Sequence, residues 1–373
     1  MLKVGVIGVG NCGGQIAAKV AAELKFDAVV INTSDQDLEK VKGDNVKIFP
    51  LGDKKGAGQD RSTAKLALKD AIQVVIEDLE FKTFISSQEK IFIIGSTGGG
   101  TGSGIGPLLY HLVNQMTTAQ VTIVGILPTL GEDRGIQVNT LNYLNEIYNT
   151  MTDTRYMLFD NNKYSNLSSV KMMEGINSDV VESIRILSGY YASITSYASI
   201  DEKDMLTLTS PAGRIVTASA MDVTEKDLDT TTIEDMIIHD LKTNSHCEID
   251  RDGAVANTGI ITNLSSKIND TFDMNIPKIS EFIGEATGTG FKHIGINNES
   301  SLPNNIIFIA SGLSPINDRI EKINARIKEL DEKASKRATA SALENSKLDS
   351  NMEKESKTLG SVDVSAAFEQ FGV

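Results

Sequence analysis

The sequence predicts an α/β fold on a parallel sheet, followed by a second, smaller α/β part. Three observations predict it. Short β-branched runs alternate with stretches of helical apolar spacing through the first half. Glycine-dense turns stand where a strand hands over to a helix. Length sets the scale: 373 residues against a prior of roughly 150 per domain gives two domains or three. Strands that read as continuous apolar runs are buried on both faces, and such strands belong to parallel sheets with helices on either side. In these sheets ligands bind at the carboxyl ends of the strands.

The elements follow in order. Residues 2–7 are an apolar strand and Gln15–Leu24 a helix. A second strand covers 27–32. Residues 63–79 place Leu66, Ala67, Ala71, Val74, Val75 and Leu79 at helical spacing. Strands are expected at 90–95 and 121–127, with a helix over Leu108–Met116 between them. A long helix at about 177–196 carries Val180, Val181, Ile184, Leu187, Tyr191 and Ile194. Runs at 213–223, 258–264, 291–296 and 305–311 read as strands of a smaller second sheet. From Asn317 to about Leu343, the residues Ile320, Ile323, Ile327, Leu330 and Ala334 define an amphipathic helix. It packs on the body or contacts a partner. Residues 345–362 are polar and aperiodic, which predicts a mobile segment. The last ten residues carry Phe368 and Phe371, a loose end or a short docking segment.

Composition excludes several classes. Hydrophobic residues are 40% and charged residues 23%, ordinary for a globular chain and too apolar for a wholly disordered one. No apolar run approaches a membrane span. The net charge of −14 disfavours direct DNA binding, which needs clustered cations. Two cysteines outside any C-x-x-C pair point to a reducing compartment. The first residues read as a strand rather than a leader, so the cytoplasm is expected. The four histidines are scattered, and His246-Cys247 alone is poor zinc geometry.

Two loops carry the chemistry. Gly8-Val9-Gly10-Asn11-Cys12-Gly13 fits G-x-G-x-x-G between a strand and a helix. By itself it would suit a dinucleotide enzyme or a bare tight turn. Asn32, ending the second strand, stands where a dehydrogenase usually has an acid. The second loop, Gly95-Ser96-Thr97-Gly98-Gly99-Gly100-Thr101-Gly102-Ser103-Gly104, is stronger. Dense glycine with hydroxyls at a helix start suits anionic oxygens. It has no lysine and is not a P-loop.

Gly98-Gly99-Gly100-Thr101-Gly102-Ser103-Gly104 resembles the G-G-G-T-G-[ST]-G signature of the tubulin/FtsZ superfamily. Further segments match in order from about residue 3 to 311. Gly10-Asn11-Cys12-Gly13-Gly14-Gln15-Ile16 resembles the first nucleotide loop of tubulins. Ile31-Asn32-Thr33-Ser34-Asp35 resembles I-N-T-D. Gly56-Ala57-Gly58 resembles the loop beside the γ-phosphate. Pro128 with Glu132 resembles the ribose loop. Phe159-Asp160-Asn161-Asn162-Lys163 and Ser178-Asp179-Val180-Val181 resemble the two guanine-reading segments. Ser199-Ile200-Asp201-Glu202-Lys203-Asp204-Met205 resembles the synergy loop, with Ser199 in place of its Asn.

The resemblance implies a tubulin/FtsZ-like fold: a GTP-binding domain over 1–176, a central helix over 177–200 and an activation domain over 201–312. A C-terminal helix over 313–345 and a flexible tail over 346–373 follow. It implies GTP and GDP as ligands, with Mg²⁺ held through the nucleotide phosphates. The implied nucleotide residues are Gly10, Asn11, Cys12, Gln15, Asn32, Ala57, Gly58, Gly98, Gly99, Gly100, Thr101, Gly102, Glu132, Asn161 and Asp179. Asn161 and Asp179 offer acceptors to the N1–H and N2–H₂ edge of guanine, which adenine lacks. A buried acceptor left unpaired costs about 1–3 kcal/mol. Cys12 on its own reading is a small packing residue.

Hydrolysis is then expected between copies: Asp201 and Asp204 of one subunit enter the nucleotide site of the next, head to tail. Read alone, two acids three residues apart are a solvated helix face or first-turn charges. A heterologous contact that does not close builds a filament. The departures from FtsZ, including the lack of its Pro-containing C-terminal peptide, make the sequence more similar to the TubZ group of plasmid and phage partition proteins. That similarity implies an adaptor of the TubR type on a centromere-like DNA site, met through the C-terminal helix or tail, with no direct DNA or membrane contact. The alternatives are a cell-division or phage-positioning relative and, more remotely, a Rossmann-type nucleotide enzyme.

Overall fold

In the computed structural model, the described residues are 1–150, 153–192, 200–244, 246, 257–265, 268, 292–297 and 303–356. The chain divides into two units, Met1–Ile323 and Asn324–Val373.

The first unit is built on strands β1 (Val4–Val9), β2 (Asp27–Asn32), β3 (Val46–Pro50), β4 (Lys90–Ser96), β5 (Gln120–Leu127), β6 (Arg155–Asp160), β7 (Gly213–Met221), β8 (Asn257–Asn263), β9 (His293–Asn297) and β10 (Asn305–Leu313). The helices are α1 (Gly10–Leu24), α2 (Asp35–Glu39), α3 (Arg61–Glu77), α4 (Leu79–Ser87), α5 (Gly100–Met116), α6 (Arg134–Asn145), α7 (Ser169–Leu187), α8 (Glu202–Leu208), α9 (Glu225–Thr230), α10 (Ile233–Thr243) and α11 (Asn317–Ser356).

The sheet order is β3-β2-β1-β4-β5-β6-β7-β10-β8-β9. The first six strands are parallel, as the apolar runs predict. β10 runs antiparallel to both β7 and β8. The second group of strands is not a separate sheet. It joins the first through two residue pairs, Arg155↔Gly213 and Tyr156↔Arg214. One core packs α1 and α7 on the parallel strands, through Ile16, Val20, Val30, Ile94, Val180 and Ile184 among others. A second core gathers Val216, Ile237, Ile260, Ile306 and Phe308.

Two helical stretches depart from the sequence reading. The helix expected at 177–196 starts earlier, where the Ser168 hydroxyl accepts from the Lys171 N–H, and ends at Leu187. Gly189 stops it with φ +76°, a left-handed conformation glycine adopts without steric cost. Ile194 and Ser199 lie outside the described residues. The stretch at 63–79 breaks in two, because Asp78 leaves the helix and caps α4 from the Glu80 and Phe81 N–H groups. Its buried face is Ala64, Leu68 and Val75, whereas Leu66, Val74 and Leu79 are 59%, 74% and 77% exposed. The close neighbour is the glycine-rich α5, which small residues approach best: a Cβ on Gly104 would lie 3.2 Å from the Ala64 Cβ.

α11 carries Ile323 buried, and from Asn324 its surface is salt-linked along its own length, Arg326 and Lys333 both on Glu329. The residues beyond 356, with Phe368 and Phe371, lie outside the described part, as does Cys247. Among the described residues no helix is long and apolar enough to cross a membrane.

Candidate functional site

The two glycine loops follow β1 and β4, which are hydrogen-bonded neighbours, so they meet at one edge of the sheet. Gly10 has φ +72°, and a Cβ there would lie 3.1 Å from the Gly102 nitrogen. A Cβ on Gly102 would lie 2.8 Å from both the N and O of Ser96. The backbones therefore pack with no room for a side chain. The Gly56–Asp60 turn closes a third side. Ala57 is buried against Gly100, where an added Cβ would stand 3.0 Å from the Ala57 Cβ. Gly58 is exposed at the tip.

The helix starts show what this edge can hold. Eight described helices, α2, α3, α4, α6, α7, α8, α9 and α10, have a side-chain oxygen accepting from a first-turn N–H. The helices α1 and α5 have none and carry no acid in their first turn. Their leading N–H groups and the positive ends of their dipoles converge at the glycine loops, as anion binding requires. The cradle that a Cβ would fill and the two uncapped starts fit a polyphosphate.

Side chains brace this cradle. The Thr33 and Thr101 hydroxyls share a hydrogen bond of 2.8 Å, tying the end of β2 to α5. Asn32 is buried, its Oδ1 accepting from the Thr33 N–H. Asn139 donates to the carbonyls of Gln59 (2.9 Å) and Gly98 (3.0 Å), joining the third loop to the second. Pro107 lies inside α5 and cannot donate to the Ser103 carbonyl one turn earlier. Arg61 donates to that carbonyl instead, from Nε at 3.2 Å and Nη2 at 2.8 Å. Arg61 is held in turn by Glu146, which also takes Lys65. Neither Asn139 nor Arg61 is singled out by the sequence motifs. A proline inside an otherwise helical glycine loop is the one signal that a donor was needed.

The other expected nucleotide residues line the same edge. Asn11 and Gln15 are exposed one turn apart on α1 and hydrogen-bonded at 2.8 Å. Cys12 is half-buried, and its apolar surroundings push the thiol up to about 12, so it stays protonated at neutral pH. Glu132 folds back to accept from the Thr129 N–H at 2.9 Å. Asn161 opens a 3₁₀ turn, Asn161–Tyr164. Tyr164 of that turn donates to Asp179 Oδ2 at 3.0 Å, so the turn abuts α7. Burial first, then the Asp179 charge, raises the Tyr164 phenol above its ordinary range. Among the described residues no three His, Cys, Asp or Glu side chains gather as a metal cage. A Mg²⁺ ion, which dehydrates reluctantly and favours phosphate oxygens, fits this site only through a bound polyphosphate.

Asp201 and Asp204 sit elsewhere. Asp201 caps α8 and Asp204 is its third residue. The Asp204 N–H donates to Asp201 Oδ1 at 2.7 Å, and the Asp201 N–H donates to Asp204 Oδ2 at 3.2 Å. This is a reciprocal capping box. The other Asp204 oxygen lies 3.7 Å from His293 Nδ1. The helix α8 is tied to the amino ends of β4 and β5: Lys90 donates to Thr209 at 2.5 Å and Gln120 donates to the Leu206 carbonyl at 2.9 Å. The glycine loops are at the carboxyl ends. The length of β4 puts roughly 20 Å between the two sets at about 3.3 Å per residue.

The fold and this edge define an α/β protein whose two strand-to-helix glycine loops form a cradle of a shape and polarity that suit an anion. Residues 3–169 match the family described as Tubulin/FtsZ family, GTPase domain. The CetZ tubulin-like protein of Pyrococcus abyssi is 28% identical over 193 residues, 49% of this chain and 51% of that one. The TubZ tubulin-like protein of Clostridium botulinum C phage is 29% identical over 168 residues, 43% of this chain and 46% of that one. The chain thus spans about half the length of these curated relatives. A GTPγS-form protofilament of Bacillus thuringiensis serovar israelensis TubZ superposes with a TM-score of 0.74 at 18% identity, covering 90% of this chain and 94% of that one. The first part of the chain, residues 3–169, is thus similar to the GTPase domain of the tubulin/FtsZ family, and the whole chain shares the fold of these proteins.

Proposed function

We propose that this protein is a filament-forming GTPase whose active site is completed by the next copy in the filament. The observation that carries this reading is the separation of two sets of groups. The cradle and the acids Asp201 and Asp204 stand at opposite edges of one sheet, roughly 20 Å apart by the strand rise, so one chain cannot bring them together. Head-to-tail stacking would bring them together at every contact, and such a contact repeats without closing. The similarity to a TubZ protofilament supports that arrangement.

In this reading the uncapped starts of α1 and α5 bind the phosphates, with Thr101 and the Gly56–Gly58 turn beside them. Asn161 and Asp179 read guanine, and Glu132 faces the sugar. Asp201 and Asp204 of the adjoining copy orient the attacking water. Mg²⁺, when bound, neutralises charge on the transferring phosphoryl group. The capping box holds both carboxylates at fixed rotamers on a helix end, which is the positioning such a role needs.

The filament would move plasmid or phage DNA through a TubR-type adaptor on a centromere-like site, engaged by α11 or the tail. A second reading, a filament relative without DNA cargo, is favoured by the nearly equal identity to CetZ, 28% against 29% to TubZ. High-speed sedimentation with GTP, GDP or no nucleotide, with phosphate release followed in the same tubes, tests the core of the reading. Pelleting with GTP, and phosphate release only above the assembly threshold, is expected. Full turnover below that threshold would refute the shared site. Co-sedimentation of adaptor-bound DNA separates the two cellular readings.

A further inference from the structure

We propose that Arg319, in the first turn of α11, is a positioning residue for the nucleoside half of the GTP site. The proposal rests on the guanine-nucleotide reading above. Arg319 is buried, and its guanidinium joins the ends of two neighbouring strands. Nε donates to Asp160 Oδ2 at 2.6 Å and Nη2 to Asp160 Oδ1 at 3.0 Å. Nη2 also donates to the Pro128 carbonyl at 2.6 Å. Asp160 ends β6, and its register partner Leu127 ends β5. The segments that leave these two strand ends are the ones assigned to the nucleoside: Pro128 to Glu132 for the sugar and Asn161–Tyr164 for the base.

The brace continues between them. Asp160 Oδ1 also accepts from the Asn162 N–H at 2.9 Å, which fixes the start of the base turn. Asn162 Oδ1 accepts from the Leu130 N–H at 3.3 Å, linking that turn back to the sugar loop. A closed ring of contacts thus runs from Arg319 to Asp160, Asn162, Leu130 and Pro128. Arg319 is its only cation, and its planar fork is what lets one side chain hold a carboxylate and a carbonyl together. Lysine, with a single nitrogen, would keep the charge on Asp160 but not the fork. None of these contacts reaches the glycine loops, which have their own braces in Thr33, Asn139 and Arg61.

The expected effect is selective. Without Arg319 the base and sugar segments lose their fixed relation, while the phosphate cradle keeps its shape. Binding of GTP, GDP and inorganic tripolyphosphate with Mg²⁺ is measured by calorimetry on the full chain. Arg319→Ala is expected to weaken GTP and GDP at least tenfold and to leave tripolyphosphate within twofold. Arg319→Lys is expected to fall between the two. Asp160→Asn, which keeps the volume and removes the charge of the partner, is expected to show the same selective loss and serves where the alanine variant does not fold. Equal weakening of GTP and tripolyphosphate, or unchanged GTP binding in folded Arg319→Lys and Asp160→Asn, would overturn the proposal. A wild-type protein that holds GTP no more tightly than tripolyphosphate would instead refute the guanine reading beneath it.

Discussion

Arg61→Met is the perturbation whose size the structure sets best. The methionine keeps the apolar stem and removes the guanidinium. Two things are lost. The Ser103 carbonyl, which Pro107 cannot serve, is left without its donor. An unsatisfied buried carbonyl costs about 1–3 kcal/mol. The ion pair to Glu146 also goes, but Glu146 keeps Lys65 at 2.6 Å, so no charge is stranded and that part is worth about 1 kcal/mol or less. The sum is about 1–4 kcal/mol. Pro107→Ala supplies the missing N–H at the helical position that bonds the Ser103 carbonyl. Combined with Pro107→Ala, Arg61→Met therefore no longer carries the carbonyl part of its cost, and the two changes couple by about 1–3 kcal/mol in a double-mutant cycle. Urea unfolding measures the four variants. Native-state hydrogen exchange of the α5 amides gives a second probe that does not assume all-or-none unfolding of a chain this size. Additive effects within about 0.5 kcal/mol would mean that Arg61 does not replace the proline's missing bond.

Other substitutions probe other parts of the same logic. Gly102→Ala puts a Cβ 2.8 Å from backbone atoms of Ser96 and is expected to cost about 3 kcal/mol or more, whereas Gly58→Ala meets no atom within 4 Å and pays only for φ +55°, about 1–2 kcal/mol; urea midpoints in the reverse order would contradict the cradle geometry. Asp201→Asn keeps a good helix cap and removes the charge, so it should match wild type in thermal stability yet slow phosphate release in assembled filaments; wild-type turnover would leave Asp201 as a cap alone. Lys90 is fully buried, and burial, aided by the Arg155 charge, brings it down to about 7 from 10.5. The unfolded chain then holds more protons between those values, so stability rises with pH across that window, at a limiting slope of about 1.4 kcal/mol per unit. Lys90→Met should be flatter over the same range in urea titrations; an unchanged slope would exclude Lys90 as its source.

The sequence discloses the fold class because β1, β4 and β5 are apolar on both faces, and only a covered parallel sheet asks for that. The cradle is legible for a similar reason: Gly10 and Gly102 are required by local geometry that any side chain would violate. The braces are not legible. Arg319 and Asp160 are 159 positions apart, and an arginine in a helix's first turn has no local mark of its partner. β3 escapes because it is short, half-exposed and ends in proline. The face of α3 misleads because apolar spacing counts Leu66 and Val74, while packing against the glycine-rich α5 selects Ala64. For Asp201 and Asp204 the bland and the sharp readings turn out to be compatible, since the capping box fixes the very carboxylates that the proposed chemistry needs.

The seam between β6 and β7 has an evolutionary consequence. Seven residue pairs join β4 to β5, but two join β6 to β7. Much of what holds this junction is side chain: Arg155 on the Ser210 carbonyl at 2.8 Å, Ser183 with Thr217 at 2.9 Å, Gln120 on the Leu206 carbonyl. A backbone ladder is nearly indifferent to sequence, since every residue except proline can donate to it. A junction of side chains is open to revision one codon at a time. Lineages sharing this architecture are thus free to stiffen or loosen the coupling between its two halves while the ladders that fold each half stay untouched.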